Sequence, residues 1–129
     1  DLRDIRWKCH VEPGCSFQGD LSWSVEAVGN ILKNCMEYSE PGGAITVEGT
    51  ENPLYTELMI RDEGKGIAPE DLPHLFERFY RGKHNSTESV GIGLSLAQKI
   101  ITQQNGTIQV RNGTKRGAVF TIRFYKSVI

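Results

Sequence analysis

The chain has 129 residues, of which 38% are hydrophobic and 24% are charged, as in an ordinary folded domain rather than a disordered tail. Its 15 lysine and arginine residues nearly balance 16 aspartate and glutamate residues, which argues against nucleic acid or an anionic membrane surface as a partner. No apolar run reaches the roughly 20 residues that a membrane helix needs. The three cysteines form no CxxC pair, so neither a disulfide framework nor a zinc site is indicated, and a reducing compartment is expected.

The first half of the chain predicts the order strand, helix, strand, strand. The helix is expected to begin at a cap, Asp20 or Ser22, and to run to about Tyr38, because its apolar positions recur at helical spacing. The three expected strands cover residues 5–11, 44–49 and 56–61.

The second half begins with a glycine-rich loop and a short helix. That helix is expected to start at residues 69–71 and to place four apolar side chains on one face, at Leu72, Leu75, Phe76 and Phe79. Residues 81–90 are polar and lack periodicity, which predicts a mobile loop that could fold over a bound nucleotide as a lid.

The C-terminal third predicts a helix and a hairpin. The helix, over residues 94–104, is expected to stop at Asn105–Gly106. The strands 107–111 and 118–125 are expected to be joined through Asn112–Gly113. All these elements fit one domain over residues 1–129: an α/β two-layer sandwich of a mixed, largely antiparallel sheet with about three helices on one face.

A polar stripe runs along the first predicted helix. Glu26, Asn30 and Asn34 recur every four residues, so they project from one face of the helix. A carboxylate and two carboxamides suit a hydrated divalent cation and phosphate oxygens, because hard cations prefer oxygen ligands. The alternative is a solvated helix face.

Two glycine clusters are further candidates for a ligand site. After the third strand, Asp62 precedes Gly64, Gly66 and Ile67; the glycines let a flat ligand approach closely, and the carboxylate can accept from an exocyclic amine such as that of adenine. The alternative is a simple glycine-rich turn. Before the last helix, the segment 91–95 has glycines at alternate positions, as in an anion site at a helix start, or as in a helix start chosen for close packing.

Four segments in this order resemble the N, G1, F and G2 boxes of the ATP-binding catalytic domain of sensor histidine kinases. They are the helix with Asn30, the Asp62 loop, the aromatic segment 75–81 and the glycine pair before the last helix. That domain belongs to the ATPase superfamily shared with gyrase, Hsp90 and MutL. The resemblance extends from about residue 20 to residue 125, and its F box points to histidine kinases within the superfamily. It implies a Bergerat-type ATP-binding fold, with ATP and Mg²⁺ as cofactors.

The resemblance also implies roles for single residues on the side of the base. Asp62 would accept a hydrogen bond from the adenine amino group. Tyr38 would lie near the adenine and the ribose. Gly64, Gly66 and Ile67 would shape the same pocket.

On the side of the phosphates, the resemblance implies that Asn30 is the magnesium ligand and that Asn34 lies beside the phosphates. Glu26 has two interpretations: it orients a magnesium-bound water and supports catalysis, or it only solvates the helix. The remaining phosphate-side positions are Arg81 in the lid and Gly91, Gly93 and Leu94 at the start of the last helix.

The implied activity is the transfer of the ATP γ-phosphate to a histidine on a separate dimerisation domain. None of the three histidines lies on a long amphipathic helix, so that domain is expected N-terminal to residue 1. The expected partners are this domain and the receiver domain of a response regulator. The chain alone is expected to be a monomer, and the full-length protein a homodimer. The expected location is the cytoplasmic portion of a membrane-bound sensor kinase.

Two positions depart from the family's usual boxes. Glu37 stands where the N box often has lysine, and Ser89 stands where the G2 box often has its first glycine. These departures keep open a degenerate regulator that binds nucleotide without transferring phosphate. An anti-sigma-type serine kinase, which shares the ATP fold, is the other alternative, and the F box counts against it.

Overall fold

The computed structural model of the protein describes residues 4–80 and 93–126. The strands in these residues are β1 (Arg6–Val11), β2 (Ala44–Glu51), β3 (Tyr55–Asp62), β4 (Gly106–Asn112) and β5 (Ala118–Tyr125). The α-helices are α1 (Leu21–Tyr38), between β1 and β2, and α2 (Gly93–Gln103), between β3 and β4. A 3₁₀ turn covers Leu72–His74. The predicted strands and the two long helices are therefore confirmed to within a few residues.

The strands form one sheet in the order β1-β2-β3-β5-β4. β1 and β2 are parallel, whereas all other neighbours are antiparallel. The sheet is therefore mixed and largely antiparallel, as the sequence predicts. β3 lies in the middle of the sheet, and its last residue, Asp62, pairs with Ile45 near the start of β2. Because β2 follows α1 in the chain, the Asp62 end of β3 lies beside the end of α1.

The core lies between the helices and one face of the sheet. Alternate residues of β5 turn to this face, so that Phe120, Ile122 and Phe124 are almost completely buried. The apolar stripe of α1 meets them, with Ile31 and Cys35 inaccessible to solvent. α2 contributes Ala97, Ile100 and Ile101 to the same core. The result is the predicted two-layer sandwich.

The two helices are antiparallel and are joined by hydrogen bonds at one end. Asp20 caps α1, since its side chain accepts from the backbone N–H of Trp23 at 2.9 Å. Gln104, directly after α2, accepts the backbone N–H of Asp20 and donates to the Ser24 hydroxyl at 3.2 Å. At the other end, the first residue of α2, Gly93, lies against Asn30. No helix among the described residues combines the length and the apolarity that crossing a membrane requires.

The short helix predicted after residue 69 is wrong beyond a single 3₁₀ turn. The backbone hydrogen bonds of this segment join residues three apart, for example His74 N–H to Asp71 and Glu77 N–H to His74, rather than residues four apart. The chain therefore makes a series of tight turns here, and within residues 4–80 and 93–126 two α-helices and this turn lie on the sheet. Leu75 is buried, and the Phe76 ring packs edge-on against the Phe120 ring, with 6.5 Å between the two ring centroids.

The sequence periodicity predicts that Phe79 lies on the apolar face of a short helix, and this prediction is wrong. Its φ of +67° is left-handed, which an α-helix does not allow, and its side chain is 63% exposed. The Arg78 guanidinium lies over its ring at 4.9 Å. Phe79 is therefore turned away from the core that Leu75 and Phe76 contact.

Candidate nucleotide-binding site

The candidate phosphate-side residues of the two helices are brought together by the antiparallel packing. A Cβ added to Gly93 would lie 3.8 Å from Asn30 Cγ, so the start of α2 faces the side-chain amide of Asn30. Backbone N–H groups at a helix start attract anions, and an amide oxygen can ligate a hard cation. Leu94, the next residue of α2, is half-buried and packs against the core.

The polar stripe of α1 changes in exposure along the helix. Glu26 is exposed, whereas Asn30 and Asn34, one and two turns later, are half-buried. The stripe thus passes from solvent into the space beside α2. Solvent reaches Glu26, which fits a residue that only solvates the helix. Asn30 lies one turn away, which fits a residue that orients a magnesium-bound water.

Asp62 is the buried carboxylate of the site, with only 3% of the residue exposed. Its Oδ1 accepts the backbone N–H of Gly64 at 2.9 Å and that of Ala118 at 3.2 Å. Burial raises the pKa of Asp62 above its usual value, and the hydrogen bonds from the Gly64 and Ala118 backbone act in the opposite direction.

The loop after Asp62 needs glycine at two positions for different reasons. Gly64 passes so close to the end of α1 that a Cβ would lie 2.1 Å from the Tyr38 carbonyl oxygen. Gly66 has a φ of +83°, which side chains other than glycine rarely adopt. These glycines therefore allow the backbone to lie in close contact with α1 and to turn sharply next to the candidate base site.

Ile67, which the sequence assigns to the wall of the pocket, is mainly a core residue. Only 6% of it is exposed, and it belongs to the hydrophobic cluster between sheet and helices. Its backbone is held by Asn112, whose Oδ1 accepts the Ile67 N–H at 2.7 Å and whose Nδ2 donates to the Ile67 carbonyl at 2.8 Å. The sequence indicates Asn112 only as part of a hairpin turn, because nothing in its neighbours links it to Ile67.

The hairpin between β4 and β5 makes a second contact with the loop through Arg116. Its Nε donates to the Gly64 carbonyl at 3.4 Å, and its Nη2 forms an ion pair with Glu40 at 3.1 Å. Both charged side chains are about half exposed, so the ion pair itself adds little stability. The hairpin also contacts Asp62, because the Ala118 backbone N–H donates to its Oδ1. The sequence does not indicate this contact, since almost every residue has a backbone N–H.

Tyr38 is the last residue of α1 and lies near Asp71, in the turns that follow the glycine loop. It is half-buried, and this burial, with the nearby charges of Glu37 and Asp71, raises the pKa of its hydroxyl. Asp71 is itself 5% exposed and accepts a hydrogen bond from the Tyr80 hydroxyl, which raises the pKa of Tyr80 to about 12. Tyr38 therefore borders the candidate base site from the helix side.

Arg81 and Gly91, together with the predicted lid and Ser89, lie outside the described residues 4–80 and 93–126. Within those residues, no group of three or more histidine, cysteine, aspartate or glutamate side chains could hold a metal ion. Asn30 offers a single amide oxygen, which suits a cation whose other ligands do not come from the protein. Mg²⁺ bound to nucleotide phosphates and water is such a cation.

Comparison with known proteins identifies the family of the chain. Residues 19–127 match the model of a family described as "Histidine kinase-, DNA gyrase B-, and HSP90-like ATPase". The chain is 35% identical over 128 residues to the sensor histidine kinase YvrG of Bacillus subtilis, and 30% identical over 125 residues to the sensor-like histidine kinase SenX3 of Mycobacterium tuberculosis. These alignments cover 98% and 95% of the chain, but only 21% and 30% of the two relatives.

The fold agrees with a solved relative as well. The mycobacterial sensor histidine kinase MprB superposes with a TM-score of 0.87 at 30% identity, covering 99% of this chain and 88% of that one. Since the family model spans most of the chain, and the relatives are sensor histidine kinases, the chain belongs to the histidine kinase-, DNA gyrase B- and HSP90-like ATPase family.

Proposed function

We propose that this chain is the catalytic and ATP-binding domain of a two-component sensor histidine kinase. The observation that carries the proposal is the convergence of three separate segments. A buried carboxylate, Asp62, lies beside a glycine loop at one side of α1, and the Asn30 amide faces the start of α2 at the other. An adenine and a phosphate group need different surroundings, and these lie at different points of α1: Gly64 approaches its last residue, Tyr38, and Gly93 faces Asn30, about two turns earlier.

The base would bind against Asp62. Both backbone N–H groups reach Oδ1, so Oδ2 is the oxygen that we assign to the adenine amino group. Gly64 and Gly66 leave room for a flat ring because neither has a side chain. Tyr38 would complete the pocket at the end of α1.

The phosphates would lie between Asn30 and the start of α2. Asn30, with Asn34 one turn on, would supply amide groups, and Gly93 and Leu94 would supply backbone N–H groups of a helix start. Mg²⁺, held by Asn30, would arrive with the nucleotide and neutralise phosphate charge, which favours phosphoryl transfer. The contribution of the chain is mostly positioning and electrostatics.

The acceptor would be a neutral histidine on the dimerisation domain of the same full-length protein, whose phosphate then passes to a response regulator. The relatives are several times longer than this chain, which leaves room in them for such a domain. In that arrangement the chain is the cytoplasmic portion of a membrane-bound sensor, and dimerisation belongs to the other domain.

The test is transfer of labelled γ-phosphate from Mg-ATP to the full-length protein's histidine-bearing domain. We expect an acid-labile, alkali-stable phosphate on that domain, and none when its histidine is replaced by glutamine. Label on a serine of another protein would favour the anti-sigma-type kinase. ATP binding without any transfer would instead favour a regulator.

Glu26 has its own test in the same assay. If it orients a magnesium-bound water, Glu26→Gln leaves ATP affinity within about threefold but slows single-turnover transfer at least tenfold, since a positioned acid–base group typically contributes about 10²–10⁴-fold. Glu12→Gln, an exposed glutamate after β1, is the matched control. Transfer at the wild-type rate would reduce Glu26 to a solvated surface residue.

A further inference from the structure

The β1 edge of the sheet is uncovered on the face that carries the helices. Within residues 4–80 and 93–126, α2 packs mainly against β4 and α1 mainly against β3, so β1 lies beyond both helices. All six residues of β1 are exposed. A helix is about 10 Å wide and neighbouring strands lie about 4.8 Å apart, so two helices cover about four strands. A five-stranded sheet therefore has room for a further helix above β1.

The floor of this uncovered region is apolar. Trp7 pairs with Ile45 of β2, which is completely buried beneath the helices. Paired residues of neighbouring strands have their side chains on the same face, so Trp7 faces the helix layer, as do Cys9 and Val11 further along β1. Trp7 is nevertheless 51% exposed and Val11 49% exposed. Apolar side chains that are grouped on a surface in this way indicate an interaction site.

The wall of the region is the side of α1 that is turned away from α2. Asn30 marks the opposite side, because its side chain faces Gly93 of α2. At about 100° per residue, Leu21 and Val25 lie roughly 180° and 140° around the helix from Asn30. Leu21 is 80% exposed and Val25 is 63% exposed. The first two turns of α1 therefore present apolar side chains to solvent on the side where β1 is bare.

The floor and the wall extend side by side. β1 and β2 begin at the Asp62 end of the sheet, where α1 ends, so α1 and β1 are antiparallel. A strand of six residues is about 20 Å long, which equals the length of a helix of about 13 residues. We call this region the β1–α1 groove, and its lining residues are Trp7, Cys9, Val11, Leu21 and Val25. Its dimensions suit one helix with a single apolar face.

The backbone before β1 leads toward the groove. Ile5 is half-buried and packs against the hydrophobic cluster, so it lies on the helix side of the sheet. Asp4, before it, has a φ of +53°, a left-handed conformation that is typical of turns. A segment that precedes this turn is tethered beside the groove, and a short tether gives an effective concentration in the millimolar range. The chain covers only 21% and 30% of the relatives YvrG and SenX3, so most of their length lies outside it.

We propose that an amphipathic helix of the full-length protein, directly preceding residue 1, docks in the β1–α1 groove. It runs back along β1 after the turn at Asp4 and buries Trp7, Val11, Leu21 and Val25 beneath its apolar face. Helices and strands that are consecutive in the chain usually lie side by side in this way. The inference goes beyond the proposed function, because it involves neither nucleotide nor phosphate transfer.

Cys9 is a native probe of the groove, since it is exposed and lies on the floor between Trp7 and Val11. The experiment measures its rate of modification by N-ethylmaleimide, read by peptide mass spectrometry, in this chain and in the full-length protein. We expect modification to be about tenfold or more slower in the full-length protein, because a covered thiol reacts only when the cover opens. The thiol introduced by Gln109→Cys, at an exposed position of β4, is the control and should react equally in both proteins.

A double variant tests whether the apolar wall holds the helix. Leu21→Asp together with Val25→Asp places two charges where the proposal requires apolar contact. In the full-length protein it should return the Cys9 rate to within about threefold of that in the 129-residue chain. Leu54→Asp, at an exposed leucine between β2 and β3, is the matched control and should leave Cys9 protected. Melting curves confirm that each variant is folded.

Equal Cys9 rates in the two proteins, or protection that survives the double variant, would overturn the proposal. So would a Cys9 that is already unreactive in the shorter chain, which would show that the chain's own residues close the groove. Protection of the shorter chain that appears only at high protein concentration would assign the groove to a second copy instead. Loss of phosphate transfer with these rates unchanged would overturn the proposed function and not the docking of the helix.

Discussion

Asp62 combines deep burial with a charge, and that combination is unfavourable for folding. Burial raises its pKa, which means that the surroundings disfavour the anion despite its hydrogen bonds. A buried acidic group of this kind is more common at binding sites than in purely structural positions. The simplest explanation is that Asp62 is retained for a ligand that donates a hydrogen bond to it.

Replacing Asp62 should therefore weaken ATP binding. We expect Asp62→Asn to lower ATP affinity by about 1–3 kcal/mol, or roughly 5- to 150-fold, because the amide presents a donor to the adenine amino group. GTP affinity should fall less, so discrimination between the two nucleotides decreases. Calorimetric titration checks both. Glu57→Gln is the control, since Glu57 is a carboxylate on the same strand whose partner is Arg123 at 2.8 Å. Equal ATP affinity in Asp62→Asn and Glu57→Gln would contradict the assignment.

Asn30 has the corresponding role for the cation. Replacing it by alanine removes one amide oxygen from a half-buried position, and the core residues Ile31 and Ala27 keep their packing. We expect Asn30→Ala to fold normally but to bind ATP equally with Mg²⁺ and with a chelator, whereas the wild type binds better with Mg²⁺. Gln109→Ala, which removes an exposed amide from β4, should retain the full magnesium effect. If Asn30→Ala retains it too, the ligand is another residue.

Single residues differ in how far sequence alone can identify them. Asp62 and Asn30 could be singled out because a side chain of a given chemistry recurs at an interpretable spacing. Cys35 is indicated by the sequence as an apolar position of α1, and its complete burial in the core confirms this. Ala118 could not be found at all, because it contributes a backbone N–H that any residue except proline would supply.

Among the elements, the β4–β5 hairpin holds the glycine loop that the sequence assigns to the ligand. Asn112 pairs with both backbone groups of Ile67, as a neighbouring strand would. Arg116 adds a contact to the Gly64 carbonyl. A loop with glycine at alternate positions loses much conformational freedom on folding, so it needs such external contacts to keep one shape.

Removing the Asn112 side chain should loosen this loop. We expect Asn112→Ala to lower the free energy of unfolding by about 1–3 kcal/mol, because the Ile67 N–H and carbonyl lose their partners. ATP affinity should fall with it. Asn112→Asp can still accept from the N–H but cannot donate to the carbonyl, so it should be intermediate in stability. Urea unfolding and ATP titration of the three proteins provide the measurements. An alanine variant as stable as the wild type would show that the loop does not depend on this pair.

Elements with a regular period were predictable, and the turns after residue 68 were not. The strands and both α-helices repeat apolar residues at two or 3.6 positions, and burial of one face fixes their type. The segment around Leu72 also has helical spacing, but its spacing extends over barely two turns. Hydrogen bonds between residues three apart and the left-handed φ of Phe79 then decide its conformation.

Taken as a whole, the molecule has its candidate site at an edge shared by α1, α2, the end of β3 and the β4–β5 hairpin. A ligand there would contact all of them at once and would favour the folded state by mass action. We expect Mg-ATP at about 100 times its Kd to add about 2.7 kcal/mol to the free energy of unfolding and to raise Tm by on the order of 10 °C. Thermal melting with Mg-ATP, and with Mg²⁺ and inorganic phosphate as the control, checks this. An unchanged Tm at that concentration would argue against a single site built from all four elements.

The hydrogen bonds of Gln104 have a geometric consequence for this edge. They fix the end of α2 to the start of α1, whereas at the other end the backbone of Gly93 faces the side chain of Asn30. An 11-residue helix is about 16 Å long, so a tilt of 5° about the Gln104 end displaces the Gly93 backbone by about 1.4 Å. That displacement exceeds the roughly 0.5 Å range of donor–acceptor distances in N–H···O hydrogen bonds. A small tilt of α2 about the end that Gln104 fixes would therefore move the backbone N–H groups that we assign to the phosphates.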